Sequence, residues 1–316
     1  MRPTRPNRNP ERRRRGAALL LVLGAVLIVG LAVAGLLQVT RASAAEQFRA
    51  AQRFEAEWIA ESGLALGFHP GVTPTDPVLH QELEGGYRLD VTITSEQGRI
   101  PILGNTTATR IAALTDLFVL WGVDRDDAGI AAESLADWMD ADDDPRPQGA
   151  ETDHYAGLGF PRYPRNAAFA SLDEMVLVRG MDRVARVRPG WRDAFTLHGD
   201  GQIDVNAAEA AVIHAYAGVT LADAERFVAT RNGADGVLGT EDDQLYRPQN
   251  VGEAVQLLGI PQARLQAVGQ LFTLEGTALR VESKATVGDL AFTRVVVAER
   301  ATGRVLARQD RTFGGD

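Results

Sequence analysis

Every position from Ala17 to Thr40 is uncharged, and most are Leu, Val, Ile, Ala or Gly. That run of 24 residues is long enough to cross about 30 Å of hydrocarbon as a helix. Beyond it the pattern becomes amphipathic. Phe48, Ala51, Phe54, Trp58 and Leu66 recur at three- and four-residue steps, the last being a double step, and most Gln, Arg and Glu residues fall between them. No proline occurs between Ala17 and His69. The pattern therefore predicts one helix over 17–68, roughly 78 Å long at 1.5 Å per residue. Ser62 and Gly63 are expected to loosen it, and Pro70 and Gly71 to end it.

Period-two alternation marks the strands. Tyr87, Leu89, Val91 and Ile93 alternate with Arg88, Asp90, Thr92 and Thr94, which predicts a half-buried strand. A turn and a second short strand follow over 96–100. Near the C-terminus Leu279, Val281, Ser283, Ala285 and Val287 repeat the alternation, and Gly288 and Asp289 turn the chain. Two more strands, 292–299 and 305–308, flank a hairpin signal at 301–304. Strands from both ends of the body are expected to share one antiparallel sheet against the N-terminal helix.

Residues 112–268 read as helical, with a weak internal repeat of helix, glycine, apolar residue and then a helix-starting residue at Gly122, Gly180, Gly218 and Gly259. The predicted fold is α+β: a long N-terminal transmembrane and amphipathic helix on a small antiparallel sheet, with a large inserted all-α domain of helical hairpins. The expected division is 1–16 leader, 17–40 transmembrane helix, 41–69 helix continuation, 70–111 first part of the β domain, 112–268 inserted helical domain, and 269–316 closing strands.

Charge sharpens this picture. Residues 1–16 hold seven Arg and one Glu, whereas the whole chain has a net charge of −9, so the other 300 residues carry −15. A basic arm before an acidic body argues against nucleic acid as a partner. The helical hairpins resemble helix-hairpin-helix modules, but they lack the paired glycines and basic flank that grip a phosphate. Arg12 to Arg15 stand directly before the apolar run, and the positive-inside rule puts the N-terminus in the cytoplasm and the body in the periplasm. The alternative is a cleaved secretory signal ending at the Ala42–Ala45 stretch, although the apolar run exceeds the usual length of one. The chain has no cysteine, so disulfides and thiolate metal sites are excluded.

Arg12, Arg13, Arg14, Arg15 and Gly16 followed at once by an apolar helix resemble the leader of type IV pilins and pseudopilins. The resemblance implies cleavage by a prepilin peptidase between Gly16 and Ala17, with methylation of the new N-terminus. Leu21 stands at the fifth mature position, where that family usually has Glu. The GspK-type minor pseudopilins of type II secretion are similar in lacking that glutamate. A subunit without the carboxylate has nothing to offer a neighbour's amine in the membrane, which suits a filament tip. Asp137, Trp138, Met139, Asp140 and Asp142, then Pro145, Gly149, Ala150, Glu151 and Tyr155, resemble a characteristic GspK segment. So do Arg165 and Asn166, the Ser171–Met181 run, and Asp204–Ala208. Residues 96–103 and Ala17 depart from the family pattern.

The one site with chemistry is acidic. Residues 133–153 hold eight carboxylates against one Arg, a repulsion that a hard cation relieves. Asp140, Asp142, Asp144, Arg146 through its carbonyl, Gln148 and Glu151 fall at the ligand spacing of an EF-hand loop, but Pro145 stands where that loop needs Gly. The GspK resemblance implies Ca²⁺ around this segment, and the candidate ligands are Asp140, Asp142, Asp144, Glu151 and Asp153. The alternative is a solvated acidic loop in which Asp137 or Asp140 caps a helix. A second, weaker cation candidate is Asp235, Thr240, Asp242 and Asp243, which an ordinary Asp- and Gly-rich turn explains equally well.

No HExxH pair, GxSxG elbow or phosphate-binding glycine loop occurs, so no enzyme is expected. The sequence points to a minor pseudopilin at the tip of a periplasmic filament, promoting pseudopilus assembly and the export of folded proteins. Its expected partners are other minor pseudopilins, the prepilin peptidase, inner-membrane lipid and the secreted substrates. Leu21, Phe48, Phe54 and Trp58 are the candidates for helix contact, the three aromatic residues alternatively packing on the protein's own sheet. The rival readings are a stand-alone membrane-anchored calcium-binding protein and a secreted metal-dependent hydrolase.

Overall fold

The structure is a computed structural model that describes residues 10–104, 106–247, 249 and 251–314, with side chains from residue 21 onward except Val251. Helix α1 spans Pro10–Gly67. Its apolar part is exposed along its length, and among the described residues it is the one helix long and apolar enough to cross a membrane. The helix does not loosen at Ser62 and Gly63. It continues to Gly67, where the Phe68 and His69 amides close the last turn on Leu64 and Leu66 before Pro70.

Small residues and Leu64 make the buried face of α1. Ala56 and Ala60 are fully buried, and Gly63 and Gly67 continue their line. A Cβ at Gly63 would lie 2.2 Å from Ser283 Oγ, and one at Gly67 would lie 2.4 Å from Val281 Cγ1. The missing side chains let the helix backbone lie close against the sheet. The large apolar residues of the predicted stripe point the other way: Phe48, Phe54 and Trp58 are 60–64% exposed. Leu64 and, in part, Leu66 turn to the sheet with the small residues, so the exposed aromatic residues lie on a separate face.

The sheet has five strands: β1 (His80–Leu83), β2 (Tyr87–Ser95), and, after the helical part, β7 (Ala278–Val287), β8 (Leu290–Glu299) and β9 (Val305–Phe313). Its order is β1-β2-β7-β8-β9, antiparallel throughout. The register pairs Val91 with Ser283 and Ala285 with Phe292, so one face presents Leu89, Val91, Ile93, Val281, Ala285, Phe292 and Val296 to α1. Each of the Val, Leu, Ile and Phe side chains among them, once buried, contributes about 1.5–3 kcal/mol. Strand β1 is not among the strands that alternation predicts, because His80, Gln81 and Glu82 carry no apolar alternation.

Between β2 and β7 the chain builds a helical body around its own core. Its elements are β3 (Ile100–Pro101), α2 (Ala108–Leu120), α3 (Arg125–Met139), α4 (Thr152–Gly157), α5 (Met181–Val187), β4 (Phe195–Thr196), β5 (Ile203–Asp204), α6 (Ala210–Ala217), α7 (Leu221–Arg231), α8 (Val251–Leu257), α9 (Leu265–Leu271) and β6 (Phe272–Thr273). All four glycines of the weak repeat have positive φ. Gly218 shows why: it ends α6 in the left-handed conformation, its amide bonded to His214 O. Thr220 then caps α7 by accepting from the Asp223 amide.

The short strand expected after residue 96 pairs elsewhere. β3 runs parallel to β4, with Ile100 opposite Phe195, and takes no part in the large sheet. The preceding turn, Glu96–Gly98, is buried and ties the two parts together. Gln97 is fully buried. Its amide nitrogen donates to Asp200 Oδ1 (2.6 Å) and Gln202 O (3.0 Å), and its oxygen accepts from the Thr277 amide (2.5 Å), the Thr277 hydroxyl (2.9 Å) and the Ala278 amide (3.3 Å). Beside it, Glu96 accepts from Thr196 Oγ1 (2.7 Å) and from Arg280 (3.3 Å) of β7.

Candidate metal centre

Helix α3 buries its C-terminal turn completely at Asp137 and Trp138. Trp138 packs edge-on against Tyr155 at 5.4 Å and stacks on Phe169 at 6.0 Å, which fixes the turn against the start of α4. Asp140 ends the helix, its amide bonded to Ala136 O. The chain loops out through Pro145 and returns at Gly149, whose Cα faces Asp137. A Cβ there would sit 1.8 Å from Asp137 Oδ2. Arg179 holds the return by donating to Gly149 O at 2.9 Å. Two residues later Glu151, 3% exposed, stands at the head of α4.

These turns bring Asp137, Asp140 and Glu151 together, with one carboxylate oxygen of each within 4.8 Å of the others. Unit charges this close repel by about 4 kcal/mol at the effective dielectric of a protein surface. Arg146 offsets part of that repulsion. Its Nη1 donates to Asp137 Oδ1 and Asp140 Oδ2, both at 2.5 Å, and its backbone amide donates to Asp137 Oδ2 at 3.2 Å. Glu151 receives nothing. Both its oxygens are buried without a hydrogen-bond donor, as is Asp140 Oδ1. Burial, and then the charges of Asp137, Asp140, Asp143 and Asp142, push the Glu151 carboxyl up to about 8. Burial also raises Asp140 above the usual carboxylate range, despite Arg146.

The residues fit a hard divalent cation. The cluster offers only carboxylate oxygens, its buried Glu151 has two free acceptors, and Ca²⁺ takes six to eight oxygen ligands. The geometry is not an EF-hand ladder. Arg146 O accepts from the Gly149 amide in a turn, and Asp142 Oδ1 accepts from the Asp144 amide. Of the residues expected to bind, Asp140 and Glu151 lie in the cluster. Asp142 is exposed and acts on Glu151 through charge, while Asp144 and Asp153 are exposed and outside it. Asp137 was readable only as a helix cap, since nothing in the spacing shows that the chain returns over it at Gly149.

The comparisons with known proteins bear on this segment. Residues 91–189, which contain the whole cluster, match the family described as Type II secretion system (T2SS), protein K. The type II secretion system protein K of Pseudomonas aeruginosa is 28% identical over 258 residues, covering 73% of this chain and 76% of that protein. The chain is thus similar to type II secretion system protein K, by family model over residues 91–189 and by sequence over most of its length. Its fold is also that of a chain in the GspK-GspI-GspJ complex of enterotoxigenic Escherichia coli, with a TM-score of 0.56 and 19% identity over 86% of this chain and 99% of the other.

The other sites expected from the sequence fall as follows. Residues 1–9 of the leader lie outside the described residues. Gly16 and Ala17 are in the helical backbone of α1, and their side chains are outside the description. Leu21 is 75% exposed, and Phe54 and Trp58 form an edge-on pair at 6.0 Å on the open side of α1. In the second acidic loop, Asp242 accepts from the Ala234 and Asp235 amides and from Thr240 Oγ1, and Asp235 accepts from the Val237 amide. Asp243 Oδ2 accepts from Gly239, which leaves its Oδ1 as the one buried acceptor there without a donor. Those bonds are the ones a self-capped turn makes.

Proposed function

We propose that this chain is the tip subunit of a type II secretion pseudopilus. Helix α1 anchors it in the inner membrane with a cytoplasmic N-terminus, and the body stands in the periplasm. The prepilin peptidase trims it between Gly16 and Ala17. Other minor pseudopilins pack along the open side of α1, and the assembly promotes export of folded substrates by mechanical work, with no chemistry at this chain. The similarity to protein K supports the system, and one observation supports the position. The small-residue face of α1 is used up on the sheet, while Phe48, Phe54 and Trp58 stay exposed along a helix that carries a bulky helical body on its far end. Such a row is what an amphipathic partner helix covers.

The calcium reading belongs to the same proposal: Asp137, Asp140 and Glu151 would hold Ca²⁺ as a structural cation that locks the loop between α3 and α4. It rests on the buried, donorless carboxylate of Glu151.

Because the chain has no cysteine, single-cysteine crosslinking in cells tests the partner face. Trp58→Cys is expected to crosslink to another pseudopilin carrying a cysteine on its own helix, and the exposed control Glu84→Cys is not. Equal crosslinking from both positions, or none from Trp58→Cys, contradicts the assigned face.

A further inference from the structure

We propose that Arg146 is a tethered internal cation that occupies the Asp137–Asp140–Glu151 cluster when calcium is absent and competes with calcium for it. The inference rests on the calcium reading above and adds the residue that sets its affinity. One guanidinium nitrogen bridges Asp137 Oδ1 and Asp140 Oδ2, the two carboxylates that flank the donorless Glu151. A bound divalent ion needs those same oxygens.

The side chain has a route out of the cluster. It is 28% exposed, so it has a path to water. Its departure also leaves Asp137 in place, because the Arg146 backbone amide still donates to Asp137 Oδ2. With the guanidinium gone, Asp137 Oδ1, both oxygens of Asp140 and both of Glu151 are without a donor, and one oxygen of each residue lies within 4.8 Å of the others. Those five oxygens leave room for backbone or water ligands to complete a calcium shell. With the guanidinium present, one positive charge stands against three carboxylates. The α3–α4 loop is then held, incompletely neutralised, in the metal-free state. Calcium is therefore a graded stabiliser of this segment and not a condition for its folding.

The test uses the full chain in detergent, titrated with Ca²⁺ by calorimetry and followed by thermal unfolding with and without a chelator. Arg146→Gln removes the charge, and Arg146→Lys keeps it. Losing charge-assisted bonds of this kind predicts calcium affinity about ten- to a hundredfold tighter in Arg146→Gln than in the natural chain. Arg146→Lys is expected to stay near the natural value. The chelated Arg146→Gln protein melts at a lower temperature than the chelated natural chain, and calcium closes that gap. A merely structural arginine would instead lower both states equally. If the natural chain binds calcium and Arg146→Gln binds it equally or more weakly, the competition is overturned and the calcium site stands. If none of the three proteins binds calcium, the calcium reading falls and takes this inference with it.

Discussion

Calcium binding to this chain should expel a proton from Glu151. The carboxyl is raised to about 8 by burial first and by the surrounding carboxylates second. At pH 7 it is then about nine-tenths protonated, and ionising it costs about 1.4 kcal/mol. A cation binds the ionised form, so affinity should rise about tenfold per pH unit between pH 6 and 8 and flatten above. Calorimetry in two buffers of different ionisation enthalpy counts the protons. The expected count is close to one per calcium at pH 7, falling toward zero above pH 9. In the chelated protein the sign reverses. The folded-state pKa lies above the ordinary carboxylate value, so the stability that goes with the bound proton is complete below that ordinary value and is lost as pH rises through 8. The chelated chain should therefore melt at a lower temperature at pH 9 than at pH 6, whereas the calcium-loaded chain should not. Binding with no proton release and with equal affinity at pH 6 and pH 8 would refute the placement of Glu151 in the site.

Other substitutions test other parts. Gly149→Ala drives a Cβ into Asp137, and calcium-dependent stabilisation should disappear in a thermal melt. Gln97→Ala removes five hydrogen bonds at the seam between sheet and helical body, at a cost of about 3 kcal/mol or more in denaturant unfolding. Trp58→Glu, on the open face of α1, should leave the melting temperature within about 1 °C of the natural value while losing the partner crosslink from a neighbouring cysteine on that face.

Strong periodicity made much of this fold legible. Leu89, Val91 and Ile93 in β2, and the alternation from Leu279 to Val287, gave strands that lie where expected and share one sheet. The helical hairpins were visible in their glycines, which proved to be left-handed turns. What failed was whatever depended on contact between distant segments. The buried face of α1 sets Ala56, Ala60, Gly63 and Gly67 beside Leu64, and the value of the four small residues is their lack of bulk, which no hydrophobic pattern records. Strand β3 pairs with Phe195 and Thr196, nearly a hundred residues on. In the metal centre, Asp140 and Glu151 stood out by residue type, but Asp137 joins them only because Gly149 folds back over the end of α3. The arginine inside the acidic run was read for its carbonyl, whereas its guanidinium is what enters the cluster.

A chain that works in a pseudopilus must enter the membrane whole and be trimmed at its cytoplasmic end. Mass spectrometry of its N-terminal peptide, recovered from the membrane fraction of secreting cells, reports that event. The expected result is a chain that begins at N-methylated Ala17 and stays with the lipid. A chain that begins at Glu46 and is found in the soluble periplasmic fraction would contradict the assignment.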